Sequence, residues 1–485
     1  MKINSILPLL FLGISGCCSL VAQSDGTFTP TGGMTTPRAG HTATLLLNGK
    51  VLIAGGSLGS LSGSGWVPLA SAELYDPSTG GFTLAAGSMT TPRGQHTATL
   101  LADGRVFIAG GRTGPNVSQD VASAELYDPS TGAFTPAGVM LKLSALHRAT
   151  LLSDGRVLMT GCAVPCNSTI AELYDPATGR FANAGTPGAG GGAAALLADG
   201  RVLITGGCPD DFRGAKAQVF DPGPGIFSFT GLMTHGCNDI NTATLLTNGT
   251  VLFAGSAEND GTPADAQLYD PVAGTFTSLG YTKAPHQFSA ATLIPDGTVL
   301  ITGGQLPGGN GDPGAELYIP GSRTFALTGK MTTGRHSHPS TLLPNGAVLI
   351  AGGYNLWPGA TASSEIYRPN LLIPSPVLYS LSSDGRGQGA IVHTGTAQTA
   401  SPDHPASVEE ALEIYFTGLM DGSVIPPQVA IGGRMAEVLW FGKAPGFALN
   451  QVNVRVPRGV APGPAVPVRL TYLGRPTNEV TVGVR

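Results

Sequence analysis

A short glycine-ended motif recurs seven times along the chain and restricts the fold more than any other feature. Segments like VLIAGG place a glycine at the same point of each copy, and a variant of AELYDP follows each of them. The copies lie roughly 45–55 residues apart, a period that indicates four-stranded propeller blades. The marking glycines are Gly55, Gly110, Gly161, Gly206, Gly255, Gly303 and Gly352.

Each copy predicts four strands joined by short turns. An Asn-Gly or Asp-Gly pair follows the first strand of every copy, and such pairs favour the positive φ of a tight hairpin. The second strand is a continuous apolar run such as Val51–Ala54. The third is AELY, which Asp-Pro ends because proline cannot continue a central ladder. The hairpin pairs are Asn48-Gly49, Asp103-Gly104, Asp154-Gly155, Asp199-Gly200, Asn248-Gly249, Asp296-Gly297 and Asn345-Gly346.

The double glycine, the Glu-x-Tyr and a late aromatic residue resemble the kelch repeat over residues 27–370. The pattern departs at Gly161-Cys162 and Gly255-Ser256, and Phe stands where kelch repeats often carry Trp. The seventh copy lacks a fourth strand, and Thr27–Pro30 matches the fourth-strand pattern of Ala133–Pro136, so the N-terminal strand is expected to close the ring. The resemblance implies an all-β chain with a seven-bladed kelch-type β-propeller like the central domain of galactose oxidase.

Residues 375–485 leave the repeat and alternate strand-like runs with Gly/Pro turns, which predicts a small Ig-like β-sandwich domain. The segments GQGAIVHTG, VAIGGRMAEVLWFG, NQVNVRVP and TNEVTVGVR resemble a C-terminal β-sandwich module of exported acidobacterial proteins. That resemblance implies no defined activity; tethering or partner contact is the role that it suggests.

Residues 1–22 have the pattern of an export signal, with Met1-Lys2 before the apolar run Ile6–Ile14. The run is too short to cross a bilayer and no later run is long enough, so we expect no transmembrane segment and a secreted, periplasmic or cell-surface protein. Two cleavage sites remain open. Ile14-Ser15-Gly16-Cys17 resembles a bacterial lipobox and would place a lipid anchor on Cys17, whereas ordinary cleavage would fall near Ala22.

Four cysteines follow the signal: Cys162, Cys166, Cys208 and Cys237. In an oxidising compartment an even number of cysteines favours disulfides. The expected loop positions favour Cys162–Cys166 and Cys208–Cys237 among the possible pairings. A Cys-x3-Cys zinc site is the alternative, although no second Cys/His pair has a suitable spacing.

The strand order predicts two different propeller faces. Connections between second and third strands share one side, the loop face, with the connections between blades; the Asn/Asp-Gly hairpins lie on the other side, the hairpin face. Length varies on the loop face, as in residues 57–71, 112–123, 208–216 and 305–314. Variable loops on a rigid scaffold commonly bind ligands, so we expect the ligand on the loop face. A net charge of -5 leaves no basic face that predicts nucleic-acid binding.

Histidines mark the start of the innermost strand in four neighbouring blades, and three of them follow an arginine by three residues. One interpretation is a metal or anionic-ligand site along an arc of the channel mouth. The other, which the agreement with the repeat favours, is a histidine that bonds adjacent backbone and an arginine on a solvated rim. The residues are His41, His96, His147 and His338, with Arg38, Arg93 and Arg335.

Carboxylates give a second candidate site. Asp210, Asp211 and Asp239 lie on adjacent loops, with Glu258 and Asp260 one blade further. Paired carboxylates bind Ca²⁺ or act as the acid/base couple of glycoside cleavage, but scattered surface carboxylates are commoner. The repeated glutamates of AELY are Glu73, Glu125, Glu172, Glu316 and Glu365, with Gln218 and Gln267 in two blades. Since glutamine replaces glutamate freely, these positions are predicted to have a structural hydrogen-bonding role.

The layout of a kelch propeller before a β-sandwich resembles the galactose oxidase family, whose copper radical site needs two tyrosines, one of them linked to a cysteine, and two histidines. The sequence has no Tyr-His pair, and His393 and His404 of the predicted sandwich lie outside any recognisable motif. No nucleophile or phosphate-binding motif is present, so no catalytic residue, metal or cofactor is predicted. The sequence favours an exported binding protein that presents its loop face to a glycan or protein ligand. The alternatives are a carbohydrate-active enzyme and a purely structural envelope protein.

Overall fold

The computed structural model of the chain describes residues 26–59, 65–114, 119–142, 144–163, 168–188, 192–206, 216–234, 242–254, 265–284, 286–356 and 359–485. Over these ranges the regular structure consists of strands without an α-helix, which confirms the all-β class. Seven four-stranded antiparallel sheets form the blades of a propeller, and an eight-stranded sheet follows them. None of the described residues form a helix that is long and apolar enough to cross a bilayer.

The first three blades follow the predicted strand pattern. Blade 1 contains β2 (Thr42–Leu45), β3 (Val51–Ala54), β4 (Ala72–Asp76) and β5 (Gly81–Leu84). Blade 2 contains β6 (Thr97–Leu100), β7 (Val106–Ala109), β8 (Ser123–Asp128) and β9 (Ala133–Val139). Blade 3 contains β10 (Ser144–Leu151), β11 (Val157–Ala163), β12 (Ser168–Asp175) and β13 (Arg180–Gly185).

The next three blades have the same order. Blade 4 contains β14 (Ala194–Leu196), β15 (Val202–Thr205), β16 (Lys216–Asp221) and β17 (Ile226–Leu232). Blade 5 contains β18 (Thr242–Leu245), β19 (Val251–Ala254), β20 (Asp265–Asp270) and β21 (Thr275–Tyr281). Blade 6 contains β22 (Ala290–Leu293), β23 (Val299–Thr302), β24 (Ala315–Ile319) and β25 (Thr324–Leu327).

Blade 7 is assembled from both ends of the propeller. Its chain-continuous strands are β26 (Ser340–Leu342), β27 (Val348–Ala351) and β28 (Ser364–Arg368), and its outer strand is β1 (Thr27–Pro30). Phe28 of β1 packs against Tyr367 of β28 with ring centroids 4.9 Å apart. The innermost strand β26 lies beside β2 of blade 1, so the ring is closed.

The propeller core lies between neighbouring blades. Leu52 and Ala54 of blade 1 share one apolar cluster with Val106, Ile108 and Tyr127 of blade 2. Second strands such as β3 and β7 are buried along their whole length because a blade covers each of their faces. All seven glycines of the Asn/Asp-Gly turns have φ between 82° and 89°, as the predicted hairpins require.

The C-terminal domain consists of one curled sheet. Its strands are β29 (Ile391–His393), β30 (Ala411–Phe416), β31 (Gln428–Ile431), β32 (Arg434–Lys443), β33 (Asn450–Arg455), β34 (Gly463–Tyr472), β35 (Arg475–Pro476) and β36 (Val480–Val484). The long strand β32 pairs with both β33 and β31 and so connects the two halves of the sheet. Ile414 and Val452 of one half share a buried cluster with Val429, Val468 and Val482 of the other, which gives a sandwich-like core.

The C-terminal domain sits on the hairpin face of the propeller. Val424 N donates to Thr247 O at 2.8 Å, beside the hairpin of blade 5, and Ser375 N donates to Pro344 O at 2.6 Å, beside the hairpin of blade 7. A cavity of about 410 Å³ lies where the innermost strands meet β31 and β34 of this domain. The domain therefore covers the hairpin end of the propeller axis.

Candidate functional site

The loop face is built by pairing each second-to-third strand connection with the preceding inter-blade connection. Isolated β-bridges join Ala39 to Ser57 in blade 1, Gly94 to Arg112 in blade 2 and His336 to Tyr354 in blade 7. In each case the paired residue directly follows the double glycine of the blade. Both types of connection thus lie side by side around the loop-face end of the propeller axis, which we call the mouth.

The three predicted arginines are buried beneath the mouth and do not lie on a solvated rim. Arg38 is 0% exposed, and its Nη2 donates to Glu73 Oε1 at 2.8 Å. Its Nη1 donates to Gly55 O at 2.8 Å and to Ser71 O at 3.1 Å. The arginine thus ties the second-to-third connection to the third strand. Burial lowers its pKa, and the contact with Glu73 partly opposes that effect.

The same contact, which we call the latch, recurs in blades 2 and 7. Arg93 Nη2 lies 2.9 Å from Glu125 Oε1, and Arg335 Nη2 lies 3.0 Å from Glu365 Oε1. Burial lowers the pKa of both arginines. Breaking a buried ion pair leaves the other charge buried without its partner, which is strongly unfavourable. These latches therefore hold the loops that form the mouth in place.

Blade 6 has a latch that the sequence reasoning missed. His286 takes the arginine position, with Nε2 2.9 Å from Glu316 Oε1 and Nδ1 2.7 Å from Gly303 O. The available signal was spacing, because His286 precedes Asp296 of its hairpin by the same interval as Arg38 precedes Asn48. Because the residue is histidine, the arginine pattern of the other blades does not include it.

The repeated glutamates accept hydrogen bonds from inter-blade backbone, which confirms their structural role. Glu73 accepts from Thr35 N at 2.7 Å and Thr36 N at 3.2 Å. Gln218 and Gln267 accept from Gly188 N and Thr234 N in the same way. The matching acceptors are Glu125, Glu172, Glu316 and Glu365. Glutamine retains this contact because its side-chain oxygen is also an acceptor.

The four predicted histidines are buried between blades, each against the first glycine of the preceding blade's double glycine. A Cβ added to Gly55 would lie 2.7 Å from Cε1 of His96, and one added to Gly352 would lie 2.7 Å from Cε1 of His41. His147 and His338 have the same relation to the preceding blades. The first glycine of the pair is therefore needed in these blades because a side chain there would occupy the space of this imidazole.

Hydrogen bonds add to this packing. His96 Nε2 shares a hydrogen bond of 3.1 Å with Thr42 Oγ1, and His147 Nε2 shares one of 2.8 Å with Thr97 Oγ1. Burial, with a smaller contribution from the Arg93 charge, lowers the pKa of His96 to about 3. Burial also holds the pKa values of His41 and His338 well below the usual range. The contacts give these side chains structural roles and leave little of them exposed to a ligand.

Several predicted site residues lie outside the described residues. These are the export signal with Cys17, the acidic residues Asp210, Asp211, Asp239, Glu258 and Asp260, and the cysteines Cys166, Cys208 and Cys237. The backbone of Cys162 belongs to β11. The disulfide, zinc and acidic-site predictions therefore stay predictions.

An open chain of three backbone hydrogen bonds follows one half of the mouth, from blade 6 through blade 7 and blade 1 to blade 2. Ser337 N donates to Phe288 O, Gly40 N to Ser337 O and Gln95 N to Gly40 O, at 2.8–3.0 Å. The four residues have φ between 53° and 60°. For Phe, Ser and Gln this conformation is unfavourable, and such strain concentrates at functional sites. The residue types Phe, Ser and Gln do not predict this conformation.

Exposed apolar side chains lie beside this half of the mouth. Leu58, Val67 and Leu356 are 38%, 47% and 68% exposed, and we call them the apolar rim. Leu58 N donates to Val67 O, and Ala360 N donates to Leu58 O, both at 3.1 Å. Blades 7 and 1 thus share the rim. Tyr354 supports it from below, since its hydroxyl donates to Gly59 O at 2.8 Å.

Comparison with known proteins agrees with this architecture. A family model described as Kelch motif matches residues 93–140, which span blade 2. A solved structure described as a "Novel fungal alcohol oxidase with catalytic diversity among the AA5 family, in complex with copper" is similar, with a TM-score of 0.61 and 14% identity. The match covers 95% of this chain and 100% of that one. No curated protein matches the chain.

The chain therefore contains a kelch motif and folds as a seven-bladed β-propeller with a C-terminal β-sandwich-like domain. Its fold is similar to that of the fungal alcohol oxidase. At 14% identity the likeness concerns the fold alone.

The described residues do not fit the copper of that oxidase. Among them, no three His, Cys, Asp or Glu side chains come together as metal ligands. His336 and Tyr354 meet at the mouth with ring centroids 5.2 Å apart, but their polar atoms are already bonded. His336 Nε2 contacts Gly309 O at 3.2 Å, and the Tyr354 hydroxyl contacts Ser57 Oγ at 2.9 Å.

Proposed function

We propose that this protein is an exported binding protein that presents the loop face of its kelch-type propeller to a protein ligand. The observation that carries the proposal is the apolar rim beside a mouth whose loops are fixed by buried latches. The export signal predicted over residues 1–22 supports a location outside the cytoplasm.

Accessibility favours the loop face. The C-terminal domain occupies the hairpin face through contacts such as Val424 N to Thr247 O. A partner that approaches the propeller axis therefore meets the mouth at the loop face.

The chemistry of the rim favours a protein over a glycan at this face. Leu58, Val67 and Leu356 neither donate nor accept hydrogen bonds through their side chains, and aliphatic groups offer no flat ring on which a sugar stacks. Exposed apolar patches beside polar groups mark protein–protein contact sites. Gln95 and Arg112 supply polar groups around the same part of the mouth.

Preorganisation supports the same function. The latches of blades 6, 7, 1 and 2 fix the loops before a ligand arrives. A fixed surface loses little conformational entropy on binding, which raises affinity for a given contact area.

A displayed random-peptide library, selected on the purified mature protein, tests this function. We expect enriched sequences whose binding is lost in Leu356→Asp, because a charge in the rim prevents burial of an apolar partner. Leu327→Asp is the matched control, since Leu327 is 62% exposed on the outer strand of blade 6. No enrichment, or equal loss in both variants, would exclude the rim as a protein-binding site.

The predicted export is tested separately by fractionating a bacterial host that expresses the full chain. We expect the protein outside the cytoplasm. If Cys17 carries a lipid, Cys17→Ser moves the protein from the membrane to the soluble fraction; ordinary cleavage predicts soluble protein in both cases. A cytoplasmic, uncleaved chain would contradict the export proposal.

A further inference from the structure

A second candidate site lies away from the mouth, in an open cleft between the propeller and the C-terminal domain. The cleft measures about 1250 Å³ and is lined by the hairpins of blades 2, 3 and 4 on one side and by β32 and its neighbours on the other. It exceeds the roughly 300–1,000 Å³ of pockets for single small molecules, so it has room for an extended ligand.

An indole lines the domain side of this cleft. Trp440 is 42% exposed and lines the cleft. A Cβ added to Gly442 would lie 3.0 Å from Cζ2 and 3.2 Å from Cη2 of Trp440, so the six-membered ring of the indole packs against the bare glycine.

A local irregularity of β32 occurs directly before this tryptophan. The pairing of β32 with β33 shifts register between Val438 and Trp440, which leaves Leu439 as an extra residue. Bulges of this kind re-aim side chains and are frequent next to binding sites. Here the bulge leaves two consecutive apolar residues exposed, since Leu439 is 41% exposed.

The propeller side of the cleft is polar and charge-compensated. Asp103, Asp154 and Asp199 line it from three successive hairpins. The Oδ2 atom of each accepts a hydrogen bond of 2.8 Å from the arginine two residues later. The corresponding hairpins of blades 5, 6 and 7 carry Thr or Ala at the arginine position.

The domain side is compensated in the same way. Arg455 Nε donates to Glu437 Oε2 at 2.8 Å, and Arg458 Nε donates to Glu409 Oε1 at 2.6 Å. Walls of paired charges attract neither a polyanion nor a polycation strongly, yet they present many donors and acceptors.

We propose that this interdomain cleft binds a neutral oligosaccharide, with Trp440 as the stacking platform for one sugar ring and the Asp–Arg hairpins as partners for its hydroxyls. A flat exposed indole suits the apolar face of a sugar ring, and paired side chains suit uncharged hydroxyl groups. The site is distinct from the loop face and does not depend on the protein ligand proposed there.

Isothermal titration calorimetry on the mature full chain tests the site with cellohexaose, xylohexaose, mannohexaose and maltohexaose as probes. We expect at least one hexasaccharide to bind, and Trp440→Ala to weaken its affinity roughly tenfold or more. Gly442→Ala is the second variant: its backbone tolerates alanine, since its φ is not positive, but the new methyl group displaces the indole. It should weaken binding while the melting temperature stays near that of the parent protein.

Trp66→Ala is the matched control, because Trp66 belongs to the loop face, where its ring packs beside Gly94. We expect it to bind the hexasaccharide with parental affinity. The proposal is overturned if none of the four probes binds, if Trp440→Ala and Trp66→Ala bind equally well, or if only peptides bind in a Trp440-dependent way. Loss of peptide binding in Leu356→Asp bears on the loop face alone, so the two proposals fail separately.

Discussion

Single side chains decide how firmly the mouth is held. Arg38 and Glu73 are both fully buried, and together they bond two carbonyl oxygens and two backbone N–H groups of the connecting loops. Arg38→Met should therefore lower the free energy of unfolding by about 3–5 kcal/mol, since it leaves the Glu73 carboxylate buried without its cation. Urea denaturation of the purified protein measures this loss.

The control for that prediction is a double variant that follows the pattern of blades 4 and 5. They carry Gln218 and Gln267 where blade 1 carries Glu73, and both accept backbone hydrogen bonds. The double variant Arg38→Met/Glu73→Gln should thus recover part of the stability lost in the single variant. An equally large loss in both variants would show that the arginine acts through its carbonyl contacts and not through the ion pair.

Buried histidines make the propeller sensitive to acid. The pKa of His96 is lowered to about 3 by burial from an ordinary value of 6.5. Between these values the unfolded chain binds the proton that the folded chain does not, so stability is complete above pH 6.5 and falls as the pH falls toward 3. The maximum contribution of one such group is about 1.4 kcal/mol per pH unit.

His96→Gln should flatten this dependence while it keeps a polar group near Thr42. Urea midpoints at pH 7, 6, 5 and 4 measure the slope, and we expect a smaller decline for His96→Gln than for the parent protein. His404→Gln, at an exposed position of the C-terminal domain, is the control. A parental slope in His96→Gln would argue against a buried neutral imidazole.

At this scale the sequence predicted which residues matter better than it predicted what they do. The repeat located His41, His96, His147 and His338 and the arginines before three of them, but it suggested a solvated rim for guanidinium groups that are fully buried. The pattern does not reveal burial because the partner, Glu73 in blade 1, comes 35 residues later. The arginine pattern also did not identify His286, whose imidazole bonds the glutamate of blade 6 as a guanidinium does in the other blades.

Strands and turns are the scale at which the sequence was most informative. Apolar second strands, Asn/Asp-Gly hairpins and Asp-Pro stops are local signals, and each corresponds to a blade element. The left-handed backbone of Gln95, Phe288 and Ser337 was not predictable, because contacts between blades impose it and residue type does not. Loop geometry at the mouth is thus a property of the assembled ring.

A hairpin glycine and a glycine of the double-glycine motif should lose different amounts of stability when they are replaced by alanine. Gly104 has φ +89° in a hairpin, and an added Cβ would meet the flexible ends of two side chains, Leu47 at 2.7 Å and Arg469 at 3.7 Å. Gly55 has φ +62°, and its Cβ would lie 2.5 Å from Arg93 O as well as against His96. We expect Gly104→Ala to cost about 1–2 kcal/mol and Gly55→Ala about 3 kcal/mol or more.

Thermal unfolding of the two variants side by side measures this difference. Both glycines have positive φ, so both variants carry a backbone penalty, which is no larger at Gly55 (φ +62°) than at Gly104 (φ +89°). The excess in Gly55→Ala therefore reports the close approach of blade 2. Equal melting temperatures would mean that the neighbouring blade moves to accept the methyl group.

At the scale of the whole molecule, the sequence indicated two units but not how they meet. The position of the C-terminal domain depends on contacts between residues far apart in the chain, such as Val424 with Thr247. Neither the repeat period nor strand alternation encodes such contacts. The covered hairpin face, which leaves the loop face to a ligand, and the interdomain cleft, which carries the second proposal, therefore became visible only in the structure.

One buried cation holds the junction between the two units. Arg475 is 1% exposed, burial lowers its pKa to about 10, and its Nη1 donates to Ile373 O in the connecting segment. The same carbonyl lies against the hairpin of blade 7, 2.6 Å from where a Cβ on Gly346 would be. Arg475 thus fixes the connection to the domain on one side while the hairpin confines it on the other.

Arg475→Met should release this connection while both units stay folded, because methionine fills much of the same volume but leaves the carbonyl of Ile373 without its donor. The lost contact should be worth about 1.5–3 kcal/mol, as for hydrogen bonds to charged groups. We expect chymotrypsin to cut the segment 369–376 sooner in this variant and small-angle scattering to give a larger radius of gyration. Arg485→Met, at an exposed position of the same domain, should behave like the parent protein. Unchanged cleavage and radius in Arg475→Met would show that the contacts of the hairpin face, and not this cation, hold the domain in place.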